Sequence, residues 1–276
     1  MIALLDLRTM KLVTIFSGLV CCNQFIADVK FAAVSSCPAS TLYAWNCGVN
    51  CEGLVANTKV FETFSFDSTD TVGYIAVNED LEEIIVSYRG SKGLKNWLNN
   101  LKMAKLDWPL GKNVRVHYGF FQSWKSSKTF VEHQLDILLT KYPTFTVLFT
   151  GHSLGGALAS LAAFHFKETR NQRQANVQFR LVTIGAPRIG NQEFADSFLN
   201  ENVSRIVNFN DLIPKLPFHG LGFRHSAQEI WIGEDSKSYQ TCSKTSGEDP
   251  KCSRSISFER SSLNSHKKAW SIKMAC

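Results

Sequence analysis

The stretch Thr146-Val-Leu-Phe-Thr-Gly-His-Ser-Leu-Gly-Gly-Ala-Leu-Ala159 runs from a β-rich apolar segment straight into an alanine-rich one, and the junction reads Gly151-His152-Ser153-Leu154-Gly155. A Gly-x-Ser-x-Gly pentapeptide alone is a weak signal, but at a strand-to-helix turn it meets the structural condition for an exposed nucleophilic serine. The glycines are needed because the chain turns so sharply at Ser153 that a side chain on either flank would collide. Ser153 then sits at a helix N-terminus, where the helix dipole and unsatisfied N–H groups favour developing negative charge. The plain alternative is a tight turn whose serine merely caps the helix; the strand-to-helix setting favours the nucleophile.

A serine hydroxyl is a poor nucleophile at neutral pH and needs a general base. When the nucleophile occupies such a turn, the acid and then the histidine follow it along the chain. Asp211 stands out among the acids. It lies just past the apolar run ending at Phe209, in Asn210-Asp211-Leu212-Ile213-Pro214, where the proline turns the chain away. An Asx turn is the alternative role, and Asn210 can fill it without Asp211. Asp196 falls inside a helical run, and Asp235 and Asp249 lie in a polar, cysteine-bounded stretch. His219, His225 and His266 all follow Asp211, and position alone does not choose among them. His266 comes last, on a short polar segment before Ala269-Trp270, whereas His225 leads into the strand-like run Glu229 to Ile232.

The elements that must position these groups alternate in type. Two β-rich runs, Val72 to Val77 and Ile84 to Tyr88, flank Asn78-Glu79-Asp80 and read as a hairpin. A loop region follows. Val131, Leu135, Leu138 and Leu139 predict a helix over Ser126 to Tyr142, stopped by Pro143. Then come a strand (Thr146 to Thr150), a helix (Leu154 to Lys167), a strand (Phe179 to Ile184), a helix (Asn191 to Leu199) and a strand (Arg205 to Phe209). This alternation predicts an α/β fold with a mostly parallel central sheet flanked by helices, whose sites gather at the C-terminal ends of the strands.

A chain of 276 residues, 44% of them hydrophobic, can bury one large core, and neither repeat nor linker divides it. The formal charge of +6 is mild, and Lys and Arg do not interleave with aromatics as along a nucleic-acid groove. A basic surface suits contact with anionic lipid, though solubility explains it as simply. Residues 1–27 read as a cleaved signal peptide: Arg8 and Lys11 precede the apolar run Leu12 to Cys22, which is too short for a transmembrane anchor, and a small-residue region follows. The cut falls between 22 and 27, leaving a single domain over 28–276. Either cut removes Cys21 and Cys22 and leaves the even set Cys37, Cys47, Cys51, Cys242, Cys252 and Cys276, as expected of a secreted, extracellular protein. Cys47-x-x-x-Cys51 has neither a second pair nor a histidine beside it, so zinc is the weaker reading.

Further blocks, in order, carry a resemblance: Tyr88-Arg89-Gly90-Ser91, His117-Tyr118-Gly119-Phe120, Gly185-Ala186-Pro187-Arg188-Ile189-Gly190-Asn191, Asn210-Asp211-Leu212-Ile213-Pro214 and His225-Ser226-x-x-Glu229-x-Trp231. With the elbow, they resemble the fungal-type (class 3) lipases of the α/β-hydrolase superfamily, from about Thr41 to the C-terminus. The resemblance implies an α/β-hydrolase-like fold, Ser153 as nucleophile, Asp211 as acid and His266 as base, with a structural role for His225. It implies an oxyanion hole at Ser91 and Leu154, and it implies the disulfides Cys37–Cys276, Cys47–Cys51 and Cys242–Cys252. His266 departs from the family in its setting, because Lys267 and Lys268 raise the local positive potential against imidazolium formation.

The substrate class is read from the segment after Ser91. Leu94, Trp97, Leu98 and Leu101 are spaced i, i+3, i+4 and i+7, with Lys95, Asn96, Asn99 and Lys102 on the opposite face. A core-facing surface helix has the same pattern. The position beside Ser91 and the resemblance favour a lid that closes the cleft in water and opens at an oil–water or membrane interface. Feruloyl esterases resemble this family but carry a polar, Trp-free segment here, so Trp97 argues against that specificity. The expectation is a secreted acylglycerol lipase acting without metal or cofactor, with phospholipase A1 as the neighbouring activity and a non-catalytic lipid-binding protein as the contrasting class.

Overall fold

The computed structural model describes residues 23–93, 103–173, 177–226 and 228–276. Leu94, Trp97, Leu98 and Leu101, on which the lid expectation rests, lie outside them.

Eight strands form one sheet in the order β1-β2-β3-β6-β7-β8-β9-β10. These are β1 (Thr58–Phe66), β2 (Thr71–Asn78), β3 (Glu83–Tyr88), β6 (Thr146–His152), β7 (Phe179–Ile184), β8 (Asn202–Asn208), β9 (Glu229–Ile232) and β10 (Tyr239–Thr241). The five strands β3, β6, β7, β8 and β9 run parallel, and antiparallel pairs close the two edges. Two small antiparallel ribbons stand apart, β4 (Lys105–Asp107) with β5 (Arg115–His117), and β11 (Lys268–Ala269) with β12 (Ile272–Lys273).

Strand alternation divides the buried residues between the two faces of the sheet. On one face Ile84, Val86, Val147, Phe149 and Leu181 join the apolar sides of α3 (Tyr118–Lys141) and α4 (Leu154–Arg173). On the other, Ile85, Leu148, Val182 and Ile206 meet a helix over 23–34, α1, Leu42 of the short α2 (Ala39–Ala44) and Ala269 of β11. Ile84 to Val86, Val147 to Phe149 and Leu181 with Val182 are unbroken apolar runs because a parallel sheet covered on both sides has little wet surface. A buried ion cluster fixes α1: Arg180 donates to both Asp28 carboxylate oxygens (2.6 and 3.1 Å) and through Nε to Glu83 (2.7 Å). Burial pushes the Asp28 and Glu83 carboxyls up, and Arg180 opposes the shift.

Three disulfides join Cys37 to Cys276, Cys47 to Cys51 and Cys242 to Cys252. The first closes a loop of 239 residues, tying the end of α1 to the last residue.

The expected hairpin, strands and helix order are present, and two elements differ from the sequence reading. The helix expected to start at Ser126 begins at Tyr118, where the His117 side chain accepts the Phe120 N–H, so that Phe120, Phe121 and Trp124 turn into the core. The helix expected over Asn191 to Leu199 is α5 (Gln192–Asp196), with Asn191 as its cap. Strands β1 and β10 carry no clear alternation; β1 has a register shift between Val60 and Glu62.

Candidate active site

Register brings the reactive groups together. Tyr88 at the end of β3 pairs with Gly151 of β6, and His152 pairs with Ile184 of β7. The segments that follow these strands therefore emerge side by side at the C-terminal edge of the sheet.

Ser153 joins β6 to α4 with φ of 57°, in the left-handed region that a non-glycine residue enters at a cost of roughly 1–2 kcal/mol. The turn is over-determined. Ser153 N–H donates to Ile184 O at 2.9 Å, while Gly156 N–H donates to Ser153 O at 3.0 Å. A Cβ on Gly155 would stand 2.1 Å from Tyr88 O, and one on Gly151 would stand 2.4 Å from the Gly155 carbonyl carbon. Both contacts are backbone, which has nowhere to go. Backbone held this way in a sparsely populated region is characteristic of reactive sites.

Asp211 and His266 reach the same place from two separate loops. Asp211 follows β8, and its Oδ1 accepts the Ile213 N–H at 2.9 Å, which leaves Oδ2 to face His266 Nδ1 at 2.9 Å. Both side chains are buried. The His266 loop is stitched to the Asp211 loop: Asn208 donates to Ser265 O (2.8 Å), Ser265 donates to the Asn210 amide oxygen (2.6 Å), and Ser262 N–H donates to Asn210 O (2.8 Å). With Nδ1–H given to Asp211, His266 Nε2 is the free acceptor of a neutral imidazole. Among the described residues neither Nε2 nor Ser153 Oγ has a hydrogen-bond partner, and both residues line one cavity of about 620 Å³.

Three residues to which sequence reasoning gave no part in this arrangement complete it; one of them, Gly90, reads in the sequence only as a hinge of the lid. Gly185, at φ 56°, lies so close to the pair that a Cβ there would sit 2.6 Å from Asp211 Oδ2 and 2.9 Å from His266 Nδ1. His152 stacks on His266 with ring centroids 4.2 Å apart, and its Nε2 lies 2.7 Å from His266 O. Burial holds the His152 imidazole well below the ordinary histidine range, so it stays neutral and donates that bond. Gly90 brings the loop after β3 against the serine: a Cβ there would lie 3.4 Å from Ser153 Cβ. The histidine in Gly-x-Ser was a usable sequence signal for His152; the close approaches at Gly185 and Gly90 join segments far apart in the chain and leave none.

Ser91 sits on that loop and lines the Ser153 cavity, while Leu154 is the first residue of α4. First-turn N–H groups have no intrahelical acceptor, so the Leu154 N–H is available to an oxyanion. His225 is elsewhere: buried, it binds Pro214 O through Nε2 at 2.7 Å, and burial and Arg205 hold it well below the usual range. His219 is half-exposed, Asp196 bonds Gln192, and Asp235 closes a surface turn. Among the described residues one grouping has metal-ligand types, Glu229 with Cys242 and Cys252. It does not fit a metal, because the thiols form a disulfide and Glu229 is engaged by Arg205 and by Ser253 N–H.

The arrangement is a buried Asp–His pair whose free imidazole nitrogen shares a cavity with an unpaired, strained serine, which is what general-base activation of a serine needs. Comparison with known proteins agrees in kind. The family Lipase (class 3) matches residues 85–221. A lipase of Rhizomucor miehei is 31% identical over 85% of this chain and 64% of its own length. A solved Rhizomucor miehei lipase in a propeptide complex superposes with a TM-score of 0.82 at 30% identity, covering 91% of this chain and 79% of that one. A triacylglycerol lipase whose catalytic centre is described as a serine protease triad gives a TM-score of 0.82 at 29% identity, over 91% and 95% of the two chains. The chain spans less than two thirds of the length of the curated relatives it matches.

Proposed function

The chain belongs to the class 3 lipase family, with its α/β-hydrolase fold, and from that premise we propose that it is a secreted lipase that hydrolyses the carboxylic ester bonds of acylglycerols. The observation that carries the reading is the 2.9 Å contact of His266 Nδ1 with Asp211 Oδ2, with His266 Nε2 and Ser153 Oγ unpaired in one cavity.

In this mechanism Nε2 takes the Ser153 proton as Oγ attacks the ester carbonyl, and Asp211 holds the tautomer and stabilises the imidazolium. The N–H groups of Ser91 and Leu154 receive the oxyanion; loss of one such donor typically costs about 3 kcal/mol in the transition state. His266 returns the proton to the departing alcohol. Water, activated by the same nitrogen, then resolves the acyl-enzyme. His152 acts through His266 as a positioning residue.

Secretion is supported by the three disulfides. Among the described residues no helix is long and apolar enough to cross a membrane. Within the interval 22 to 27, the packing of α1 supports a cut after Cys22: Ala27 is buried, and Phe25 stacks on Trp270 with centroids 6.4 Å apart. The spacing of Leu94, Trp97, Leu98 and Leu101 supports a lid whose burial is worth about 1.5–3 kcal/mol per side chain, in the cleft or in lipid.

The test is turnover of a soluble nitrophenyl ester and of emulsified acylglycerol. Wild type should hydrolyse both, with a rise in rate as droplets form, and Ser153→Ala should lose both by at least about 1,000-fold. Equal rates in the two proteins would remove Ser153 as nucleophile; a smooth rate through the solubility limit would remove the lid.

A further inference from the structure

Asn202 opens β8 at the end of the sheet remote from the nucleophile. Arg180 of β7 pairs with both Leu148 of β6 and Asn202, so Asn202 stands level with Leu148, roughly 16 Å of strand behind Ser153. The strand buries every residue after it, from Val203 to Asn208, while Asn202 itself is exposed. Its carboxamide has no hydrogen-bond partner among the described residues. Neither the packing of β8 nor the chemistry at Ser153 uses this side chain.

The residues that follow give it a chemistry. The chain reads Asn202-Val203-Ser204, and no other asparagine in it has Ser or Thr two positions on. Asn-x-Ser without proline in the middle is the acceptor pattern for an N-linked glycan, a bulky hydrophilic group that needs an exposed position. The triplet alone also arises by chance, and what lies beside Asn202 favours the acceptor. Asn202 lines a groove of about 410 Å³ together with Leu199, Glu201, Gln228 and Lys244. Leu199 is 44% exposed, a large apolar side chain left uncovered by the fold. Lys244 is exposed, and among the described residues it forms no ion pair. A pyranose ring suits such a lining: its C–H face covers Leu199, and its hydroxyl and acetamido groups face the Gln228 amide and the Lys244 ammonium. Joined to Asn202, the ring is held at the groove by its own bond.

We propose that Asn202 is an N-glycosylation site whose first N-acetylglucosamine lies in this groove against Leu199. This rests on the chain being secreted, because the transfer takes place in the oxidising compartment where the disulfides form. The co-reactant is an oligosaccharide carried on a lipid diphosphate. Asn202 Nδ2 bonds to C1 of the terminal N-acetylglucosamine, the C1–O bond to the diphosphate breaks, and the amide proton is lost as the lipid diphosphate departs. Ser204 is buried in the finished strand, so the acceptor triplet is read before β8 joins the sheet. The glycan shields Leu199 and leaves the Ser153 cavity open.

The experiment expresses the full chain in a yeast that secretes it, as wild type, N202Q, S204A and S204T, and takes intact masses before and after peptide N-glycosidase. Wild type and S204T should carry a glycan whose release leaves the Asn202 amide as a carboxylate in the peptide map; N202Q and S204A should be secreted bare. Trimming wild type with an endoglycosidase to the single proximal sugar should leave Tm unchanged, about 2 °C above that of N202Q. A trimmed protein no more stable than N202Q would overturn the seat in the groove. Bare wild type in the medium, or a glycan that persists in both N202Q and S204A, would overturn the site and leave secretion standing. Wild type that stays bare inside the cells would overturn both.

Discussion

Two halves of the candidate site are built in opposite ways. Ser153 stands on the most regular part of the molecule, between a central strand and a long buried helix, and is held by backbone contacts with no room to yield. Asp211 and His266 stand on irregular chain, and side-chain bonds hold them: Asn208 and Asn210 grip the residues around His266, His152 supports its carbonyl, and the Cys37–Cys276 disulfide closes the segment beyond it. A strained nucleophile needs a rigid frame. A base that changes charge during each turnover needs orientation by polar partners, and loops supply those more readily than strands.

The contrast predicts different failures. Gly155→Ala drives a methyl into the Tyr88 carbonyl, with no side chain to move aside, and should destabilise the protein by about 3 kcal/mol or more, visible as a large loss of Tm together with activity. Gly185→Ala meets the Asp211 and His266 side chains instead. It should lower kcat by about 1,000-fold while the protein stays folded with a smaller drop in Tm. Equal damage to folding at both glycines would erase the distinction.

A subtler variant separates orientation from folding. Asn208→Ala removes the bond to Ser265 O, and should reduce kcat by roughly tenfold with KM nearly unchanged, as expected when an interaction matters mainly in the transition state. A rise in KM alone would mean that Asn208 shapes the cleft rather than the base.

How far these halves could be read from sequence follows from the same difference. The Ser153 half is local: a β-rich run, two glycines and an alanine-rich helix lie within fifteen residues, so pattern and motif coincide. The parallel sheet was legible for the same reason, because β6, α4, β7 and β8 follow one another with clear periodicity. The start of α3 at Tyr118 was not, since His117 caps it through a ring nitrogen rather than a common capping side chain. In the other half the candidates were three histidines that spacing could not rank, and family resemblance chose among them. The grip of Asn208 and Asn210 on Ser265 and the close approach of Gly185 to His266 span 55 to 81 positions of chain. The last ribbon, β11 with β12, depends on a turn built from Trp270 and Ser271, residues that do not announce one.

The smallest expected effect comes from the polar shell behind Asp211. His225 is buried and its imidazole is held well below the usual range by burial and Arg205. Below pH about 6.5 the unfolded chain therefore takes up a proton that the folded protein refuses, so stability falls as pH falls. The limiting slope is about 1.4 kcal/mol per pH unit. In His225→Gln the decline of Tm between pH 6.5 and 5.5 should be shallower than in wild type. An equal decline would place the titration elsewhere.

The convergence of Ser153, His266 and Asp211 is tested most directly by stoichiometric labelling with an alkylphosphonate nitrophenyl ester, followed by peptide mapping. Wild type should release one nitrophenol per chain and carry the phosphonate on Ser153, and His266→Ala should slow that reaction by about 1,000-fold or more. A label on any other residue, or the same labelling rate without His266, would contradict the account.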